Sequence, residues 1–358
     1  MRSRVFLLLG LLAPSVSLAE PTTIGTTVPV LGKYTAPESD KDSKPRGISG
    51  MGCLGRPGDA SRECFVINDE ETSGEVALLT KGGLTPTGKL VPFTSKKGPT
   101  TDVRGTEQPA ACGDTGKFGE LDGEGVAVAK NYVYVIGSHS CTGGGKYKAS
   151  SYLLVRFKPA STNTFVGTTP PVVERTWRGA DMLLLSNDVG AAYGKPKGLG
   201  TNIEGLAVIG DTLYAGLRAP VTDSTAYIVS ARVDDLFAPG HERLKSVAQK
   251  PIKLSLGANV GIRDLAALDG GGLLILSGPA GSNRGEYKIW HLPAPLNSSQ
   301  PALLTGVTTT AEPKDPAEEP KAESITVIDQ GADKVTVVVN YDNIDEGAPS
   351  TYEIQLSR

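Results

Sequence analysis

Short apolar runs alternate with polar, glycine-bearing breaks along this chain, and one pair of breaks recurs five times. The first member opens an apolar run: Gly47-Ile48-Ser49-Gly50-Met51, Asp122-Gly123-Glu124-Gly125-Val126, Asn202-Ile203-Glu204-Gly205-Leu206, Gly261-Ile262-Arg263-Asp264-Leu265 and Lys321-Ala322-Glu323-Ser324-Ile325. The second closes the run that follows: Asn68-Asp69-Glu70, Ser138-His139-Ser140, Leu217-Arg218-Ala219-Pro220, Ser277-Gly278-Pro279 and Asn340-Tyr341-Asp342. A repeat on this scale is one supersecondary unit stacked several times.

The third copy shows the unit. Leu206 to Ile209 reads as a strand, Gly210-Asp211 as a tight turn and Thr212 to Gly216 as the returning strand. Gly-Asx pairs supply the positive φ that two-residue hairpins need. Pro220 ends the pairing, because proline cannot donate to a ladder. Ala226 to Val233 alternates as a third strand, and Lys245 to Leu256 holds a fourth. Four antiparallel strands per repeat make one β-propeller blade, so the expected fold class is all-β.

From Met51 through Val126, Leu206, Leu265 and Ile325 the spacings are 75, 80, 59 and 60 residues. The fifth repeat stops after its third strand, Thr351 to Leu356, and a spare strand near Thr23 to Leu31 precedes the first. The N-terminal strand is therefore expected to complete the last blade and close a five-bladed ring, which removes exposed edges. A six-bladed ring would need a blade hidden in the long second repeat, at residues 179–200 around Met182-Leu183-Leu184-Leu185.

Residues 1–19 read as a secretory signal peptide, leaving 20–358 as a single propeller domain. Arg2 and Arg4 form its charged start, Val5 to Leu12 its apolar centre and Ser17-Leu18-Ala19 a small-residue cleavage site. That apolar centre is too short to span a bilayer, and no later run is long enough either. Periplasmic or secreted localisation follows. The four cysteines are then expected as disulfides. Cys53 and Cys64 flank the turn Arg56-Pro57-Gly58-Asp59, and Cys112 and Cys141 flank one repeat, which favours those two pairings over the alternatives. A net charge of −3 argues against nucleic acid and anionic membrane as partners.

In a four-stranded blade, openers and closers lie on the same face, so both sets should ring one mouth of the central channel. The aligned opener column is Ser49, Glu124, Glu204, Arg263, Glu323. Several carboxylates facing one channel need compensation. One solution is a hard cation such as Ca²⁺, which takes six to eight oxygens. Glu124, Glu204 and Glu323 would hold it, with Asp122 and Asp264 of the same openers. The other is a network with Arg263, Arg218 and His139 that joins the blades. His139, in Gly137-Ser138-His139-Ser140, has the ring of a general base, although a lone histidine is more often a hydrogen-bonding loop residue. There is no GxSxG elbow and no HExxH, and no organic cofactor is expected.

At these motifs the chain resembles a bacterial family of secreted β-propellers with no assigned function. The stretches carrying the resemblance are Leu121 to Gly125, Gly137 to Ser140, Asn202 to Val208, Gly216 to Pro220, Gly261 to Leu265 and Glu323-Ser324-Ile325. The Glu-Gly openers are more distantly similar to those of esterase-like phytase propellers and other calcium-dependent hydrolases. They depart at Ser49 and Arg263, where that likeness implies carboxylates. Two functions are consistent with the sequence. One is a mouth that binds a cation and an oxygen-rich or anionic small ligand, acting as a metal-assisted phosphoesterase or lactonase. Arg218 and Arg263 would then clamp the anion, and His139 would move the proton. The other is a non-catalytic scaffold for an envelope protein or polymer, with structural carboxylates.

Overall fold

The computed structural model describes residues 22–35, 47–113, 117–129, 131–281, 284–297, 300–313 and 315–356. The expected signal peptide lies outside them. Five sheets of antiparallel strands, two of them extended by a short parallel outer strand, stand around one axis as a five-bladed β-propeller. From the axis outward, blade 1 is Gly50–Cys53, Ser61–Ile67, Ser73–Thr80 and Gly83–Pro92. Blade 2 is Gly123–Ala129, Tyr132–Gly137, Leu154–Phe157 and Val173–Thr176. Blade 3 is Asn202–Ile209, Thr212–Ala219, Thr225–Arg232 and Ile252–Ser255. Blade 4 is Val260–Ala267, Leu273–Pro279, Tyr287–Leu292 and Ala302–Thr308. Blade 5 is Lys321–Gln330, Lys334–Asp342 and Ser350–Gln355.

The N-terminal segment does more than complete the last blade. Thr26–Thr27 pairs antiparallel with Thr351 and Ser350 and is the outer strand of blade 5. Just before it, Thr22–Ile24 runs parallel to Gly306–Thr308 on blade 4. Just after it, Val30 bridges to Leu84 of blade 1. The single strand expected over Thr23 to Leu31 is thus two short strands and one isolated bridge, serving three blades. Gly25 allows the first break: a side chain there would meet the Tyr352 ring at 2.5 Å.

No sixth blade hides in the second repeat. Arg178–Leu184 and Asn187–Gly190 are helical. A short apolar run fits a buried helix or a buried strand equally well by pattern. Here Met182 and Leu183 are fully buried against Tyr134 and Ile136 of blade 2 and Leu206 and Leu213 of blade 3.

The core is five wedges, one between each pair of neighbouring blades. Phe65 and Phe93 of the first blade meet Phe157 and Phe165 at the 1–2 wedge. Ile228 and Leu254 meet Ile262 and Ile275 at the 3–4 wedge. Leu274 and Leu276 meet Val335 and Val337 at the 4–5 wedge, and Met51 and Val66 meet Val338 where the ring closes.

An arginine crosses every wedge. Arg62 donates to Val327 O of blade 5, Arg175 to Phe93 O of blade 1, and Arg178 to Ala238 O and Gly240 O beside blade 3. Arg218 donates to Ala280 O of blade 4. Arg263 pairs with Glu204 of blade 3 and Glu323 of blade 5. One guanidinium carries several fixed donors, so it can tie two backbones that no ladder joins.

Both expected disulfides are present. Cys53 and Cys64 are direct cross-strand partners at the inner edge of blade 1. Cys112 and Cys141 tie the segment before blade 2 to its closer. Such bonds suit an oxidising environment. Among the described residues no helix is long and apolar enough to cross a membrane.

The stitching by residues 22–30 predicts the effect of removing them. A chain begun at Leu31 should melt at a lower temperature and over a broader range than one begun at Glu20, because two blades lose outer pairing and the closure is left open. Scanning calorimetry of the two forms checks this; coincident melting curves would show that the segment closes nothing.

Candidate functional site

Each inner strand pairs at its start with the end of the second strand: Gly50 with Ile67, Gly123 with Gly137, Asn202 with Ala219, Val260 with Pro279 and Lys321 with Asp342. Openers and closers therefore share one mouth. The opener column has a backbone cause. In blades 2 to 5 the register skips one inner-strand residue, and the residues skipped are Glu124, Glu204, Arg263 and Glu323. Each is a β-bulge, which re-aims one side chain out of the ladder's alternation. Four copies at the narrow end of a ring bring four charged groups together.

Two residues beyond each column position lie Met51, Val126, Leu206, Leu265 and Ile325, all buried and lining the central channel. They form an apolar floor beneath the polar mouth. Between column and floor, the next strand approaches closely. A side chain at Gly125 would come within 2.6 Å of Leu206, and one at Gly205 within 2.9 Å of Leu265.

Blade 4 places Asp264 at that position. One carboxylate oxygen accepts from the N–H of Leu265 at 2.8 Å and of Leu206 at 3.4 Å, the other from that of Ile325 at 2.8 Å. Asp264 is therefore a strut joining the inner strands of blades 3, 4 and 5. Burial pushes its pKa well up, and these three amides work against that.

Glu204 and Glu323 are held by arginines. Glu204 Oε1 accepts from Arg218 at 2.7 Å and from Asn202 at 3.0 Å. Its Oε2 lies 3.0 Å from Arg263 Nε, an ion-pair distance whose angle falls short of a hydrogen bond. Arg263, 1% exposed, donates its Nη2 to Glu323 and lies over the Tyr287 ring. Burial lowers the Arg263 pKa. Burial also acts against the charge on Arg218, but Glu204 outweighs it and the pKa is raised. Two carboxylates and two guanidiniums make a neutral set, and both guanidiniums also feel Glu124 across the mouth.

The opposite wall is acidic and only partly compensated: Arg263 acts on Glu124 across the mouth, and Lys148 and Lys197 act on Asp122. Glu124 has no hydrogen-bond or ion-pair partner among the described residues. Burial, then Glu204, Asp122 and Asp69, hold its carboxyl well above the usual range. Asp122, at a φ of 54°, accepts from Ser138 Oγ, and burial raises its pKa. Asp69 of the blade 1 closer is raised to about 7, by burial first and then by Asp122 and Asp342. Ser49 takes no charge here; its Oγ accepts from the Asp69 N–H.

His139 points away from the mouth. The ring is fully buried, its Nδ1 lies 2.8 Å from Gly137 O, and its Nε2 faces Gly179 of the first helix. Burial lowers its pKa to about 4. A general base needs access to its substrate, and this ring has none. His241 lies on the surface 3.5 Å from Asp102, and His291 is in the third strand of blade 4.

Among the described residues no three His, Cys, Asp or Glu side chains converge as a metal group. Of the carboxylates expected to ligate Ca²⁺, Asp264 is taken up by amides and Glu204 and Glu323 by arginines. Glu124 and Asp122 remain on the mouth wall, joined by Asp69, which the repeat alignment left out because it belongs to a closer. Any cation here would draw further oxygens from main chain and water.

The family described as "Protein of unknown function (DUF3616)" matches residues 191–351. No curated protein matches the chain. Among solved structures, it is similar to an α-L-arabinofuranosidase from Podospora anserina in complex with cellotriose, at 12% identity over 95% of this chain and 98% of that one, with a TM-score of 0.42. It is also similar to a calcium-binding protein, regucalcin, from Agrobacterium tumefaciens, at 10% identity over 88% and 93%, with a TM-score of 0.35. Likeness this slight carries no argument about chemistry.

The neutral four-residue set predicts an asymmetry. Arg263→Met should cost about 3–5 kcal/mol by stranding Glu323 and one oxygen of Glu204. Arg263→Met with Glu323→Met should cost less, since Arg218 still balances Glu204. Urea unfolding of the wild type, both single variants (Arg263→Met and Glu323→Met) and the double variant decides; additive costs would mean that Arg263 and Glu323 do not act as a pair.

Proposed function

We propose that this propeller is an exported, non-catalytic binding module whose channel mouth takes a positively charged group, a metal ion or an organic amine, on the wall formed by Glu124, Asp122 and Asp69. The observation that carries this reading is Glu124: a bulge residue aimed into the mouth, crowded by other carboxylates and without a partner. A carboxylate in that position is stabilised by an incoming cation. Arg218 and Arg263 hold Glu204 and Glu323 and so are not free to clamp an anion, and the His139 ring is sealed. That favours binding over the phosphoesterase or lactonase expectation.

The pH dependence has a definite sign. An unfolded aspartate titrates near 3.9, whereas Asp69 titrates near 7 in the fold. Its contribution to stability is full below about pH 4 and is lost as pH rises through 7. A bound cation should restore stability on the alkaline side.

The test is the melting temperature at pH 8 with EDTA, Ca²⁺, Mg²⁺ or spermidine. A cation at a hundred times its Kd adds about 2.7 kcal/mol. At least one should raise the melting point of the wild type and not that of Glu124→Gln, which should itself melt higher than the wild type in EDTA. Calcium against spermidine separates a metal site from an amine site. No shift with any of them overturns the proposal.

A further inference from the structure

The closer of blade 2 carries a buried histidine that takes no part in the mouth. His139 has a φ of 50°, a left-handed conformation uncommon for residues other than glycine. Its main chain is tied on three sides: its N–H donates to Ser151 O, its O accepts from Thr201 Oγ1, and Ser138 O next to it accepts from the Ile203 N–H. Its Nδ1 can only be the donor to Gly137 O, so the neutral ring leaves Nε2 as a lone pair. That nitrogen is buried without a partner, and a side chain at Gly179 would lie 2.5 Å from it. The ring is thus the surface on which helix Arg178–Leu184 rests.

The titratable groups around it are all engaged elsewhere. Tyr152 lies tilted against the ring, centroids 5.6 Å apart, and is backed by Tyr147 and Tyr193. Arg178 donates to the carbonyls of residues 235–242, and Asp181 accepts from Arg243 and the Leu244 N–H. Asp122 accepts from Ser138, and Lys148 pairs with Glu120. None meets Nε2. A proton there would create a second N–H that is buried and has no acceptor among the described residues.

We infer that His139 is an acid-sensitive latch: protonation expels its ring from beneath helix Arg178–Leu184, undocks the 178–190 insert and, through Ser138, loosens Asp122 at the channel mouth. The direction is set by the ring's preference for neutrality in the closed form. Protonation is resisted there to about pH 4, but proceeds near pH 6.5 once the ring is exposed. The closed form is fully favoured above about pH 6.5 and loses ground as pH falls toward 4. Over that range the ratio of open to closed insert should rise about a hundredfold.

The experiment is hydrogen–deuterium exchange at pH 7 and pH 4, expressed as protection factors. In the wild type, protection of residues 178–190 and of the His139 and Ile203 amides should fall about a hundredfold, while the blade 5 inner strand Lys321–Gln330 keeps its protection. His139→Asn should abolish the fall, since asparagine tolerates the left-handed backbone and can donate to Gly137 O without titrating. Gly179→Ala, which pushes the ring out sterically, should lower protection of the insert already at pH 7. A wild-type insert equally protected at both pH values overturns the proposal, as does an equal fall in His139→Asn or a uniform fall across all five blades.

Discussion

Five inner strands must start at one narrow axis, and the rest of this structure follows from that constraint. Side chains at the strand starts are forced together. The alternation of a regular ladder would send them into the wedges between blades, where no charge can be hydrated. In blades 2 to 5 a single extra residue breaks the register at that point and turns one side chain into the mouth. One residue later, the next inner strand comes so close that blades 2 and 3 place glycine there.

Collecting four charged groups in one place raises an electrostatic problem, and the two halves of the mouth answer it differently. On the side of blades 3 to 5, charges are matched internally. Glu204 and Glu323 share Arg263, Arg218 completes the balance, and Asp264 gives its oxygens to three strand amides. These groups lock neighbouring blades in register. On the side of blades 1 and 2, burial raises the pKa of Asp69, Asp122 and Glu124, Asp122 adds to the rise at the other two, and only Asp122 has a side-chain donor. The half that is balanced holds the ring; the half that is less balanced is where the proposed cation would be stabilised.

The wedges show a related division of labour. Apolar side chains fill them, but they say little about how far one blade may slide past the next. Arginines that reach across to main-chain oxygens supply that fixed geometry. At the wedge between blades 2 and 3 the helical insert adds a further layer, seated on His139. The closer of blade 2 thereby touches both the mouth, through Ser138, and the insert, through its neighbour.

Much of this was legible in the residues alone. Repeated openers and closers placed five blades, one shared mouth and the charged column, because period and turn chemistry are local properties of the chain. The flanking of Cys53 and Cys64 about one turn, and of Cys112 and Cys141 about one repeat, pointed to both disulfides. What escaped was decided by partners distant in sequence. The bulge at Glu124 or Glu204 shows only when the opposite strand is in place. The run Met182 to Leu184 is helical because of what it packs on. The N-terminal segment divides among three blades through pairings with Gly306–Thr308, Ser350–Thr351 and Leu84, and Gly25 lets it pass Tyr352. The fate of each carboxylate was likewise not local: Glu323 lies 60 residues from the arginine that neutralises it, and Glu124, in an almost identical motif, has no such partner. The sequence by itself determined the repeat and the kind of side chain at each slot. Only the tertiary structure decided which charges cancel, because that depends on distances across the ring and on burial that no single repeat contains.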